Sequence, residues 1–144
     1  MQASKPLDGQ LLAEPLLASE LLLRAVASEL GVARRYVRAG ADAFGLDAEH
    51  GYDLVYAANE AVTNAIRHGA PNRDGRIVLS INATNERLMF SVRDFGTFTM
   101  PTGRPLDAAS EGGRGFALMA RLVDDVRLHA DAHGTTVVLC KVHV

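Results

Sequence analysis

A single cysteine, Cys140, among 144 residues excludes a disulfide framework and a cysteine-based zinc site. Charge of one sign is equally scarce. Fifteen Lys+Arg stand against 17 Asp+Glu for a net charge of −2, lysine occurs only twice, and the arginines are scattered. Without a basic cluster, no direct contact with nucleic acid or with an acidic membrane surface is expected. No apolar run approaches the roughly 18 residues of a membrane span, because Glu14, Glu20 and Arg24 interrupt the leucine-rich N-terminal region. Lys5 is the one early positive charge, and Glu14 and Pro15 fall inside the would-be apolar segment, which argues against a secretion signal. Internal repeats and low-complexity runs are missing as well. What remains, 48% hydrophobic and 22% charged, fits one globular cytoplasmic domain.

Residues 1–19 mix Ser, Pro, Gly and Gln with leucines in no sustained period and read as a flexible arm, leaving 20–144 as the domain. Leu21, Leu22 and Leu23 with Val26 form a short strand candidate. A helix follows over about Ser28 to Phe44, with Leu30, Val37, Ala41 and Phe44 at helical spacing and Gly45 as the stop. A second helix should start at Asp47 or Asp53 and end at His68, before Pro71, Asn72 and Gly75. Ile77, Leu79, Ile81 and Ala83 alternate along one strand, and Leu88, Phe90 and Val92 along the next, with Thr84, Asn85 and Glu86 as the turn. After a loop rich in Pro, Gly and Thr, a short helix is expected over Phe116 to Leu122. Strands over Asp125 to Asp131 and Thr135 to Val144 follow, turning at His133 and Gly134. Strands joined by tight turns after two helices predict an α+β fold, an antiparallel sheet with helices on one face.

Four places could carry chemistry. On the second helix, Asp53, Glu60, Asn64, Arg67 and His68 fall opposite the apolar arc of Leu54, Val55, Ala58, Ala61, Val62, Ala65 and Ile66. Taken alone this is the solvated face of an amphipathic helix. Yet a lone carboxylate one turn from an amide, flanked by small Ala57 and Ala61, also suits a ligand. Asp94 shares the face of Leu88, Phe90 and Val92, so it points to the interior and needs a partner there; its plainer reading is a turn-starting Asp before Gly96. Gly112, Gly113, Arg114 and Gly115 precede the Phe116 helix, where backbone N–H groups and the helix dipole make a phosphate cradle or, equally, a hinge. The fourth, Gly134-Thr135-Thr136, is by itself a hairpin turn.

Their order makes them recognisable. NEAVTNAIRHG (Asn59 to Gly69), VRDFG (Val92 to Gly96), GGRGFALM (Gly112 to Met119) and HGTTVVL (His133 to Leu139) resemble the N, G1, G2 and G3 boxes of the GHKL (histidine kinase-like) ATPase superfamily. Within it the chain most resembles the anti-sigma factor serine/threonine kinases of the RsbW type, over nearly all of Leu21 to Val144. The resemblance implies a two-layer α/β sandwich of the Bergerat type, with a mixed, mostly antiparallel sheet. It further implies Glu60 as general base, Asn64 as ligand of the Mg²⁺ on ATP, and Asp94 as acceptor for the adenine amine. Gly113, Arg114 and Gly115 would enclose the triphosphate, Thr135 would back Asp94, His68 would lie near the phosphates, and Gly96 of the G1 box would join the cofactor-binding residues.

The implied partners are an RNA polymerase sigma factor and a small STAS-domain antagonist phosphorylated on serine, with a homodimer usual for the family. One position departs from the pattern: Phe98 stands where the G1 box usually carries its second glycine. This leaves two expectations open, a protein serine kinase that also binds its partners, or a regulatory module that acts by stoichiometric binding alone. Tyr36 and Tyr56 are expected in packing or interface roles.

Overall fold

The computed structural model describes residues 17–69, 75–95 and 111–143, with the backbone alone at 69 and 111–114. The chain runs β1 (Leu17–Arg24), a 3₁₀ turn (Ala27–Glu29), α1 (Leu30–Phe44), α2 (Ala48–Gly69), β2 (Arg76–Ala83), β3 (Arg87–Asp94), α3 (Glu111–Leu122), β4 (Asp125–Asp131) and β5 (Gly134–Val142). The strands form one sheet in the order β1-β2-β3-β5-β4, and every neighbouring pair is antiparallel. The expected mixed sheet is therefore antiparallel among the described strands.

Alternation sets the core. Ile77, Leu79, Ile81 and Ala83 of β2, Leu88, Phe90 and Val92 of β3, and Val137 and Leu139 of β5 are all buried on one face. Against them lie Leu54, Ala57, Ala58, Ala61, Val62 and Ala65 of α2, Ala33, Val37 and Ala41 of α1, and Met119 of α3. The run of alanines lets α2 lie low over β3 and β5, with α1 and α3 packed on its flanks. Phe90, fully buried at the sheet centre, is the kind of side chain whose truncation to alanine costs about 3–5 kcal/mol.

Local signals account for the element ends. Thr84 Oγ1 accepts from the N–H groups of Glu86 and Arg87, closing the β2–β3 turn. Asp47 Oδ1 accepts from the N–H of His50 at 2.8 Å and caps α2, while α1 stops at Gly45. Some boundaries differ from expectation. Strand β1 starts at Leu17, which pairs with Ala83, so Leu17, Ala18 and Ser19 belong to the sheet; residues 1–16 of the expected arm lie outside the described residues. Val26 follows the strand instead of joining it. Helix α3 starts at Glu111, five residues before Phe116, and takes the glycine run into its first turns. An acid at a helix start is favourable, and the low helix propensity of three glycines is offset by the burial of Met119.

Candidate functional site

The polar stripe of α2 forms as the helical period requires, but its surroundings differ from the expectation. Ala57 and Ala61 are fully buried against the core, so they provide no space beside Glu60 and Asn64. The space lies on the other flank. A groove of about 410 Å³ opens where α1 packs beside α2, lined by Arg34, Arg38, Tyr52, Tyr56, Asn59 and Glu60, with Leu118 of α3 closing it. Glu60 makes no hydrogen bond or ion pair among the described residues. Arg34 Nη1 donates to Asn59 Oδ1 at 3.1 Å, which ties α1 to α2 beside the groove.

One turn beyond Glu60, the half-buried Asn64 has one neighbour on its own helix and one on α3. Arg67 Nη1 donates to its Oδ1 at 3.4 Å. A Cβ placed on Gly115 would stand 3.2 Å from its Nδ2, so α3 approaches this amide as closely as glycine allows. His68, in the last turn of α2, is exposed.

A second cluster lies across β3 and β5. Asp94 is 2% exposed, on the same core face as Phe90 and Val92, as counting by twos requires. Its register partner on β5 is Thr135, 7% exposed, whose Oγ1 is buried with no hydrogen-bond partner among the described residues. Gly134 makes this pairing possible: at φ +147° its position leaves no room for a side chain, since a Cβ there would collide with the carbonyl oxygen of Asp94. An orphaned hydroxyl beside a buried carboxylate is an expensive arrangement for packing alone. It fits a ligand with both a donor and an acceptor edge.

The structure thus brings Asn64 and Gly115 together at the α2–α3 contact, with Glu60 one turn away in the groove, and pairs Asp94 with Thr135 where β3 ends and β5 begins. Gly113 and Arg114 lie in the first turn of α3, described by backbone alone, so the cradle expected before a helix is instead its opening turn. Gly96 and Phe98 lie outside the described residues, as does the rest of the Pro-, Gly- and Thr-rich loop up to residue 110.

The model of the histidine kinase-like ATPase domain family matches residues 23–141. The chain belongs to this family. Serine-protein kinase RsbW of Bacillus pumilus is 30% identical over 85% of this chain and 83% of its own length, and that of Oceanobacillus iheyensis 28% identical over 85% and 84%. The crystal structure of the RsbU and RsbW domains of a Mycobacterium tuberculosis protein superposes with a TM-score of 0.68 at 26% identity, covering 89% of this chain and 33% of that one. These matches place the chain in the RsbW branch of the histidine kinase-like ATPases, with the α+β fold expected from its sequence. No helix among the described residues is long and apolar enough to cross a membrane.

Sequence reasoning missed the groove. Arg34 and Arg38 carry no motif and meet Glu60 only once α1 packs on α2, whereas Tyr52 and Tyr56 stand eight and four residues before Glu60 on α2 itself. It also missed Lys141, which is 6% exposed on the core face of β5 and donates from Nζ to the carbonyl of Leu122 at 2.9 Å. The signal was available, because the alternation Val137, Leu139, Lys141 puts the lysine inward by the same count that placed Asp94.

Proposed function

We propose that this chain is an ATP-dependent protein serine/threonine kinase that also acts as an anti-sigma factor, binding an RNA polymerase sigma factor and phosphorylating a STAS-domain antagonist. The observation that carries the reading is Glu60: an uncommitted carboxylate lining an open groove, one helical turn from the Asn64–Gly115 contact. A pure binding surface has no need of a base so placed. Asp94 and Thr135 would take the adenine edge, Gly113, Arg114 and Gly115 with the first turn of α3 the phosphates, and His68 and Arg67 would border them.

No group of three or more His, Cys, Asp or Glu among the described residues could hold a metal ion. By the family resemblance Asn64 would hold Mg²⁺ through its amide oxygen, with the other ligands drawn from phosphate and water, and the ion would supply charge neutralisation across the phosphates. Glu60 accepts the proton of the acceptor hydroxyl as the serine oxygen takes the γ-phosphoryl group and ADP leaves. The groove supports a protein acceptor: Arg34 and Arg38 offer two cations against the one carboxylate of Glu60, and Tyr52 and Tyr56 are exposed aromatics of the kind enriched at interfaces. The partners imply work in the cytoplasm, and the homodimer is carried over from the family resemblance.

The experiment is to mix the protein with Mg-ATP and a STAS-domain antagonist and to weigh the acceptor. A gain of one phosphate that disappears with Glu60→Ala, while nucleotide still binds, is expected. Transfer that survives Glu60→Ala removes the base. Phe98 in the G1 box favours a second reading, stoichiometric binding alone; it stands if a sigma factor co-elutes with the protein while no nucleotide binds at millimolar concentration.

A further inference from the structure

The end of α3 is fastened to β5 by three hydrogen bonds. Lys141 Nζ donates to the carbonyl of Leu122, the last residue of the helix, at 2.9 Å. The N–H of Asp124 donates to the carbonyl of Cys140 at 2.9 Å, and Asp124 Oδ2 accepts from the N–H of Val142 at 2.8 Å. Lys141 sits on the core face of β5, in line with Val137 and Leu139, where an apolar side chain would bury more cheaply than an ammonium group. The negative end of the helix dipole and the free carbonyl of its last turn offset part of that cost.

A lysine does here what a leucine could not. Apolar contact is non-directional and tolerates sliding, whereas a hydrogen bond to one carbonyl fixes where the helix ends along its axis. Met119, fully buried, holds the middle of α3 down on the core. The remaining freedom is axial, and it matters at the other end. Gly115 lies seven residues before Leu122, roughly 10 Å along the helix, at the close approach to Asn64 Nδ2. A shift of α3 by a fraction of a turn would open or crowd that contact.

We infer that Lys141, assisted by Asp124, is a positioning residue for phosphate binding: it sets the axial position of α3 and thereby the distance of the Gly113–Gly115 backbone from Asn64. The assignment rests on the nucleotide reading of the site proposed above. Lys141 does not touch the ligand; it acts through α3.

Lys141→Met keeps the aliphatic stem and removes the ammonium group. Two readouts test the role: calorimetric titration with Mg-ADP, and hydrogen exchange at the amides of Gly115 and Phe116 without nucleotide. Weakening of Mg-ADP binding on the order of tenfold is expected, with faster exchange at both amides and recovery of both in Lys141→Arg, which keeps a donor. The control is Ile81→Val, which thins the core beneath Gly40 of α1, away from α3; it should lower the melting temperature and leave Mg-ADP affinity unchanged. Should Lys141→Met fail to fold, Asp124→Ala at an exposed position removes the neighbouring bond and should move both readouts the same way. Unchanged affinity and exchange in these variants, or an equal loss of affinity in Ile81→Val, overturns the role. A wild-type protein that binds no Mg-ADP overturns the nucleotide reading and this role with it; one that binds, beside a Lys141→Met variant that binds as tightly, overturns this role alone.

Discussion

Gly115 on α3 stands against the side-chain amide of Asn64 on α2 so closely that a single added carbon would lie 3.2 Å from Nδ2. Two effects then oppose each other in Gly115→Ala. Alanine favours the helix over glycine by about 0.8–1 kcal/mol, while its methyl group pushes on the amide proposed to hold the cation. The expected outcome is a melting temperature without nucleotide that holds or rises, together with weaker binding of Mg-ATP. Calorimetric titration beside thermal unfolding checks this, and an alanine variant that binds as tightly as wild type would place the phosphates away from Asn64.

Thr135 offers the complementary case, a polar group whose removal should help the free protein. Its buried hydroxyl has no partner among the described residues, an arrangement that costs about 1–3 kcal/mol, and valine of the same shape carries no such penalty. Thr135→Val should unfold at the same or a higher temperature without nucleotide and gain less from Mg-ATP. For scale, a ligand at 100 times its dissociation constant adds about 2.7 kcal/mol of stability. Thermal unfolding with and without nucleotide measures both numbers. If the valine variant loses stability without nucleotide and keeps the full ligand gain, the hydroxyl serves packing.

Much of this was readable from residue order because it is local. Period-two alternation in Ile77 to Ala83 and Leu88 to Val92 specified the hairpin, and the same count turned Asp94 inward. What the sequence hid was set by tertiary contact. Three glycines read as a cradle or a hinge ahead of a helix at Phe116, yet α3 begins at Glu111 once Met119 has a core to enter. Ala57 and Ala61 looked like room for a ligand because small side chains leave space only when nothing packs on them, and here the sheet does. Leu17 to Ser19 gave no strand signal, being half-buried at most, and were recruited by pairing with β2.

Asp47 caps α2 and gives its stability a pH dependence. The N–H of His50 foremost, and then the ring of His50 with Nδ1 at 2.7 Å, hold the Asp47 carboxyl below the ordinary aspartate range. A depressed folded value means that the carboxylate contributes stability above its unfolded value and loses it as pH falls through the folded one. Asp47→Ala should therefore melt below wild type at neutral pH, and the gap should narrow once pH drops below about 4. Melting curves of both proteins from pH 7 to pH 3 test the sign; a gap that widens on acidification would show that the carboxylate is not the capping species.

Arg38 separates docking from chemistry more cleanly than its neighbours in the groove. Glu60 is the proposed base, and Arg34 is already engaged with Asn59, so changing either disturbs more than partner contact. Arg38 has no hydrogen-bond or ion-pair partner among the described residues and lines the groove beside the exposed ring of Tyr56. Its charge is therefore available to an acidic acceptor surface, where it would act on encounter more than on turnover. Arg38→Glu should raise KM for the acceptor protein on the order of tenfold, equivalent to ~1.4 kcal/mol, with kcat and nucleotide affinity little changed. Added salt should weaken acceptor binding by the wild type more than by the variant, since the attraction being screened is present only in the former. Steady-state kinetics at two salt concentrations decide the matter: if KM is indifferent to both the reversal and the salt, the acceptor does not approach Glu60 along this groove.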